Sequence, residues 1–148
     1  MGVLREVQEL LAPELRNSSI ELAVDGTDGS VIQADAHQIK QVLINLVRNA
    51  AESIGEGGKI TLRARESRPA KGGGRAIALE VADTGKGIPA DVQQRLFDPF
   101  FTTKPSGTGI GLSIAARIAE RHAGALEFTT QPDRGTTFRI VLPIQRPT

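Results

Sequence analysis

The chain has 148 residues, enough for one domain with a proper core. Its 18 basic and 17 acidic residues leave a formal charge of +1, so no general attraction to nucleic acid or to a membrane surface is expected. The absence of cysteine excludes disulfide staples and thiolate metal sites and fits a reducing, cytoplasmic compartment, and no apolar run approaches the roughly 18 residues of a membrane span.

In chain order, the opening "MGVLREVQELL" reads as the start of a segment cut from something longer, with Met-Gly added. Residues 3–16 place Val3, Val7, Leu10, Leu11 and Leu15 on one helical face, with Pro13 set to bend or end the helix. "SIELAVD" (19–25) alternates as a strand does and enters a "GTDGS" turn, and a short strand "VIQAD" (31–35) follows. Asp35 can cap a long helix over 36–54, whose Ile39, Val42, Leu43, Leu46, Val47 and Ala50 recur at helical spacing. Two alternating strands, 59–67 and 75–83, are joined by "RPAKGGGR", and Ile60, Leu62 and Ala64 share one face as Ile77, Leu79 and Val81 do, giving a sheet with one buried side. A Gly-rich turn, a short helix near 90–96, a helix over about 110–123 and a closing hairpin, "ALEFTT" and "TTFRIVLP" around "QPDRG", complete the chain. The order predicts a single α+β domain over 1–148: a two-layer sandwich in which about three helices cover one face of a mixed sheet.

Four stretches carry candidate chemistry. Asn45 and Asn49 lie one turn apart on the long helix, in a stripe with Gln38 and Glu52 that flanks the apolar face. The stripe is either an ordinary solvent face or a source of amide carbonyl ligands for Mg²⁺, which takes few protein ligands. In "DTGKGIP" (83–89), Asp83 at a strand end can accept from an exocyclic amine such as adenine's, and Gly85 and Gly87 permit close backbone approach, although the same pattern also serves as a plain turn. "GTGIGLS" (107–113) opens a helix with glycines whose exposed N–H groups suit phosphate, yet it is neither a P-loop nor a dinucleotide fingerprint. In "FDPFFTTK", Phe97, Phe100 and Phe101 account for three of the five phenylalanines, and they are either all core or partly a hinge for the segment behind them.

Together "NLVRNA", "DTGKGIP", "FDPFFTTK", "GTGIGLS" and "GTTFRIVLP" resemble, in order and spacing and over essentially the whole chain, the catalytic ATP-binding domain of sensor histidine kinases, closest to the nitrogen-regulation type. The resemblance implies the Bergerat ATP-binding sandwich, with ATP and Mg²⁺ as cofactors. It implies that Asn49 binds Mg²⁺ and that Asn45 supports the polyphosphate or metal. Asp83 would hold the adenine amine, with Gly85, Gly87 and Ile88 shaping the pocket and Thr136 joined to Asp83 through a water. Residues 98–109 would form the ATP lid, rooted by Phe97, with Thr102, Thr103, Lys104, Gly107, Thr108, Gly109, Ile110, Gly111 and Leu112 around the phosphates, where charge neutralisation supplies most of the catalysis.

The chain departs from the pattern at Glu52 and Ser53, which stand where many members carry Lys and Tyr, and this puts more of the phosphate role on Lys104. Its two histidines, His37 and His122, lack the acidic neighbour of a phosphoacceptor, so the acceptor is expected on a separate dimerisation domain of the same full-length protein, with a response regulator downstream. The resemblance implies no nucleic-acid partner, no membrane contact and a monomer for this domain alone. ATP hydrolases of the same fold, such as DNA gyrase and the large heat-shock chaperones, carry a glutamate general base where Asn45 stands, and an amide cannot take that proton. A nucleotide-binding module without transfer activity is the remaining alternative, favoured by Glu52 and Ser53.

Overall fold

A computed structural model describes residues 3–25, 36–67, 75–88, 90–93, 111–131 and 133–144. The elements are α1 (Val3–Arg16), β1 (Ile20–Asp25), α2 (Ala36–Ile54), β2 (Gly58–Ser67), β3 (Arg75–Asp83), α3 (Ala90–Gln93), α4 (Gly111–Arg121), β4 (Ala125–Gln131) and β5 (Gly135–Ile144). The five strands form one mixed sheet in the order β1-β2-β3-β5-β4. β1 and β2 run parallel because the long α2 carries the chain back between them, and the remaining pairs are antiparallel. The expected strand 31–35, the cap Asp35 and the "KGGG" stretch of 71–74 lie outside the described residues.

Strand alternation gives the sheet two unlike faces. On one, Leu22, Ile60, Leu62, Ile77, Leu79, Val81, Phe138, Ile140 and Leu142 are buried and merge with Val7, Leu11, Leu43, Leu46, Val47, Ala115 and Ala119 of the helices into one core. α1 packs on β1, α2 on β2 and β3, and α4 on β4 and β5, so the helices cover one face as predicted. Phe128 and Phe138 pair directly across β4 and β5 with ring centroids 5.7 Å apart. Among the described residues no helix is long and apolar enough to cross a membrane.

The α1 face is narrower than predicted. Leu4, Val7, Leu11 and Leu15 are buried, whereas Leu10 is 57% exposed. At about 100° per residue Leu10 falls roughly 100° off the centre of that stripe, beyond the reach of β1 and α2. The helix also runs through Pro13, which sits in its last turns. Ion pairs from Lys40 to Glu6 and from Arg48 to Glu14 join α2 to α1 at 3.6 and 3.5 Å. Exposed pairs of this kind contribute at most about 1 kcal/mol each, against about 1.5–3 kcal/mol for each buried leucine or valine, so apolar burial holds α1 in place.

The outer face carries a row of alternating charge directly across the sheet: Asp25 pairs Arg63, Arg63 pairs Glu80, Glu80 pairs Arg139 and Arg139 pairs Glu127. Glu80 is the buried member, its carboxylate 3.2 Å from Arg65 and 3.3 Å from Arg139. Opposite charges on neighbouring strands favour this register and oppose a slipped one.

α4 ends in a Schellman turn, with Ala123 N–H on the Glu120 carbonyl at 3.0 Å and Gly124 N–H on the Ala119 carbonyl at 2.8 Å. The left-handed position, φ 61°, is held by Ala123. The neighbouring glycine is spent elsewhere, because a Cβ at Gly124 would overlap the Val141 carbonyl. Ala123→Gly is therefore expected to stabilise the fold by about 0.5–1 kcal/mol, read as a melting temperature raised by roughly 1–4 °C.

Candidate active site

Three strands end their apolar stripes in polar residues at the same end of the sheet. On the helix-facing side β3 runs Ile77, Leu79, Val81 and then Asp83; β5 runs back from Leu142, Ile140 and Phe138 to Thr136; and β4 passes from Leu126 and Phe128 to Thr130. The register sets Thr130 opposite Thr136 and Ala82 opposite Thr137, so Asp83, Thr136 and Thr130 lie side by side. Asp83 and Thr136 are 8% and 4% exposed. A carboxylate that far from water is costly unless hydrogen bonds replace its hydration. Asp83 Oδ1 accepts the Gly85 N–H at 2.8 Å and the Thr136 N–H at 3.3 Å. The first of these is an Asx turn, which bends the chain out of β3.

The end of α2 lies over that bend. A Cβ on Gly85 would come within 2.6 Å of Ser53 Oγ and 3.2 Å of the Ser53 carbonyl carbon, so glycine lets the turn pack directly against the last turn of the helix. Asn45, Asn49 and Ser53 succeed one another at single-turn intervals along α2, and Ser53 is the member that meets the turn. Asn45 and Asn49 are both half-buried. Among the described residues no group of three or more His, Cys, Asp or Glu could hold a metal ion. An amide oxygen such as that of Asn49 still fits Mg²⁺, which takes most of its ligands from phosphate and water.

The far wall is the β4–β5 hairpin. Ile88 N–H donates to Thr130 Oγ1 at 2.9 Å, and Thr130 Oγ1 lies 2.8 Å from Thr136 Oγ1 and 3.3 Å from the Gly135 carbonyl. Asp133 N–H donates to the Lys86 carbonyl at 2.8 Å. Gly135 passes so close to β3 that a Cβ there would overlap the Asp83 carbonyl. Gly87 turns the chain with φ 76°, and the Ile88 side chain packs on the core.

The structure thus gathers Asp83, Gly85, Gly87, Ile88 and Thr136 at one end of the sheet, where the last turn of α2 meets Gly85 through Ser53, with Asn49 and Asn45 one and two turns back along the same helix. Gly111 opens α4 and Leu112 packs against the core, on the helix that lies beside α2. Phe97, Phe100, Phe101, Thr102, Thr103, Lys104, Gly107, Thr108, Gly109 and Ile110 lie outside the described residues. His122 sits with Nδ1 2.8 Å from the Ile118 carbonyl at the end of α4, and His37 is exposed in the first turn of α2. Sequence reasoning missed Thr130, Gly135 and the contact of Ser53 with Gly85. For Thr130 a signal existed: it continues the Leu126–Phe128 alternation as a polar residue in a buried phase.

Comparison with known proteins places the chain in a family. The family described as histidine kinase-, DNA gyrase B-, and HSP90-like ATPase matches residues 34–146. Sensor histidine kinase ZraS of Escherichia coli (strain K12) is 38% identical over 137 residues, 92% of this chain and 28% of the relative. Sensory histidine kinase/phosphatase NtrB of Salmonella typhimurium is 44% identical over 117 residues, 76% of this chain and 33% of the relative. Full-length ShkA, solved in complex with AMPPNP, superposes with TM-score 0.84 at 31% identity, over 99% of this chain and 30% of that one. The chain belongs to the histidine kinase-, DNA gyrase B-, and HSP90-like ATPase family and corresponds to the catalytic ATPase portion of sensor histidine kinases. It spans a third or less of the length of these relatives.

Gly135→Ala should be among the most damaging small substitutions, since its methyl must push back the Asp83 backbone. A loss of about 2–3 kcal/mol in urea unfolding is expected.

Proposed function

We propose that this domain binds Mg²⁺-ATP and transfers the γ-phosphoryl group to a histidine on a separate dimerisation domain of the same full-length protein, which then serves a response regulator on the cytoplasmic side. The observation that carries the reading is the buried Asp83 acceptor at the end of β3, walled by Gly85, Ile88 and Thr136 and met by the last turn of the helix that carries Asn45 and Asn49. An ionised carboxylate presents only acceptors and suits the exocyclic amine of adenine. Asn49 would hold Mg²⁺, which when bound neutralises phosphate charge.

In the transfer, the bond from the γ-phosphorus to its bridging oxygen breaks, a bond to an imidazole nitrogen forms, ADP leaves, and the ring proton passes to a base beside the acceptor. Nothing in that step requires an activated water. Asn45 accordingly holds an amide where hydrolases of this fold carry a glutamate base, and an amide cannot deprotonate water. The resemblance to sensor histidine kinases assigns Lys104 and the 107–111 glycine run to the phosphates.

A second reading, a nucleotide-binding module that transfers nothing, is favoured by Glu52, which is exposed in the last turn of α2 where many relatives of the resembled family place a lysine. The two readings part on addition of a dimerisation domain, with phosphohistidine expected only in the first.

Calorimetric titration of ATP with and without Mg²⁺ tests the site. Mg²⁺ should tighten binding, and Asn49→Ala should remove about tenfold or more of the affinity in Mg²⁺ while changing it little in chelator. Absence of ATP binding under both conditions would overturn the proposal.

A further inference from the structure

The hydroxyl of Thr130 makes three contacts and has one proton to give. It accepts the Ile88 N–H at 2.9 Å, lies 3.3 Å from the Gly135 carbonyl, and lies 2.8 Å from the Thr136 hydroxyl, where either oxygen can be the donor. If Thr130 donates to the Gly135 carbonyl, Thr136 must donate to Thr130, and all three contacts are hydrogen bonds at once. If Thr130 donates to Thr136 instead, the carbonyl contact is lost. Buried polar groups are satisfied wherever the geometry permits, and chained hydroxyls reinforce one another, which selects the first arrangement.

That choice has a consequence beside Asp83. With its proton committed to Thr130, Thr136 offers only lone pairs, and it sits next to a carboxylate that also only accepts. We propose that Thr130 is a specificity-determining positioning residue: by taking the Thr136 proton and holding the Ile88 amide, it keeps this wall all-acceptor. Such a wall takes a base edge that donates, as the amine of adenine does directly or through water, and opposes one bearing a carbonyl oxygen in its place. The inference rests on the nucleotide-binding reading above and adds a discriminating role to a residue outside the resembled motifs.

The test compares ATP with inosine triphosphate, in which a carbonyl replaces the amine, by calorimetry on the unmodified chain, Thr130→Val and Thr130→Ser. The unmodified chain should favour ATP. Thr130→Val frees the Thr136 proton to turn toward the ligand, so ATP affinity should fall about tenfold while inosine triphosphate affinity falls less, and the preference should shrink at least about threefold. Thr130→Ser, which keeps the hydroxyl, should match the unmodified chain in both affinities and preference. A purely structural role would lower both affinities together; an unchanged preference in Thr130→Val, or a Thr130→Ser that behaves like it, would overturn the proposal. Binding of neither nucleotide by the unmodified chain would overturn this inference and the nucleotide-binding reading together, whereas normal ATP binding with an unchanged preference would overturn this inference alone. If Thr130→Val does not fold, proton NMR of the unmodified chain decides. A nuclear Overhauser effect between the Thr136 hydroxyl proton and the Ile88 amide proton is expected, because both point at Thr130 Oγ1. An effect to the Thr130 hydroxyl proton alone, with none to that of Thr136, would overturn the proposal.

Discussion

Two backbone N–H groups on one oxygen of Asp83 hold this end of the molecule together. They help replace the hydration that this carboxylate gives up at the edge of the core, where a buried charge is costly unless hydrogen-bonded. With them, one side chain fixes three things: the bend after β3, the start of β5 and the line along which α2 meets both. Gly85 and Gly135 follow from the same constraint, each being a place where backbone or side chain passes too close for a methyl group.

Around that point the sheet divides its labour by face. The helix-facing side is apolar until its last rung and then changes to Asp83, Thr136 and Thr130, so the candidate site is the continuation of the core rather than a cleft cut beside it. The outer side carries the charge row from Asp25 to Glu127, in which only Glu80 is substantially buried. Such pairs add little stability singly, but they hold the strands in the register that sets Asp83 beside Thr136.

α2 serves both parts. Ile39, Val42, Leu43, Leu46, Val47 and Ala50 seal the core, and Ser53, in line with Asn45 and Asn49, reaches the turn that Asp83 organises. In the proposed reaction this couples metal and base recognition through one rigid element, as positioning within a fraction of an ångström requires. The amide at Asn45 accords with the proposed transfer, in which the phosphoryl group is passed on rather than given to water.

Much was legible in the sequence alone. Alternation in 59–67 and 75–83 and the helical spacing of 36–54 depend only on which residues are apolar, so the one-sided sheet and its long covering helix followed directly. Asp83 could be read as an acceptor at a strand end, but the same pattern serves as a plain turn, and the structure shows its carboxylate accepting the Gly85 N–H of that turn. Leu10 was misplaced, since helical phase tells how a residue is turned but not how wide a stripe its neighbours cover. Gly135 and the Ser53–Gly85 contact were decided only by tertiary structure, as were the partners of Thr130, whose phase the alternation of β4 already carried. Each is a meeting of segments far apart in the chain, fixed by strand register and by the height at which α2 crosses the sheet, and no local pattern encodes either distance.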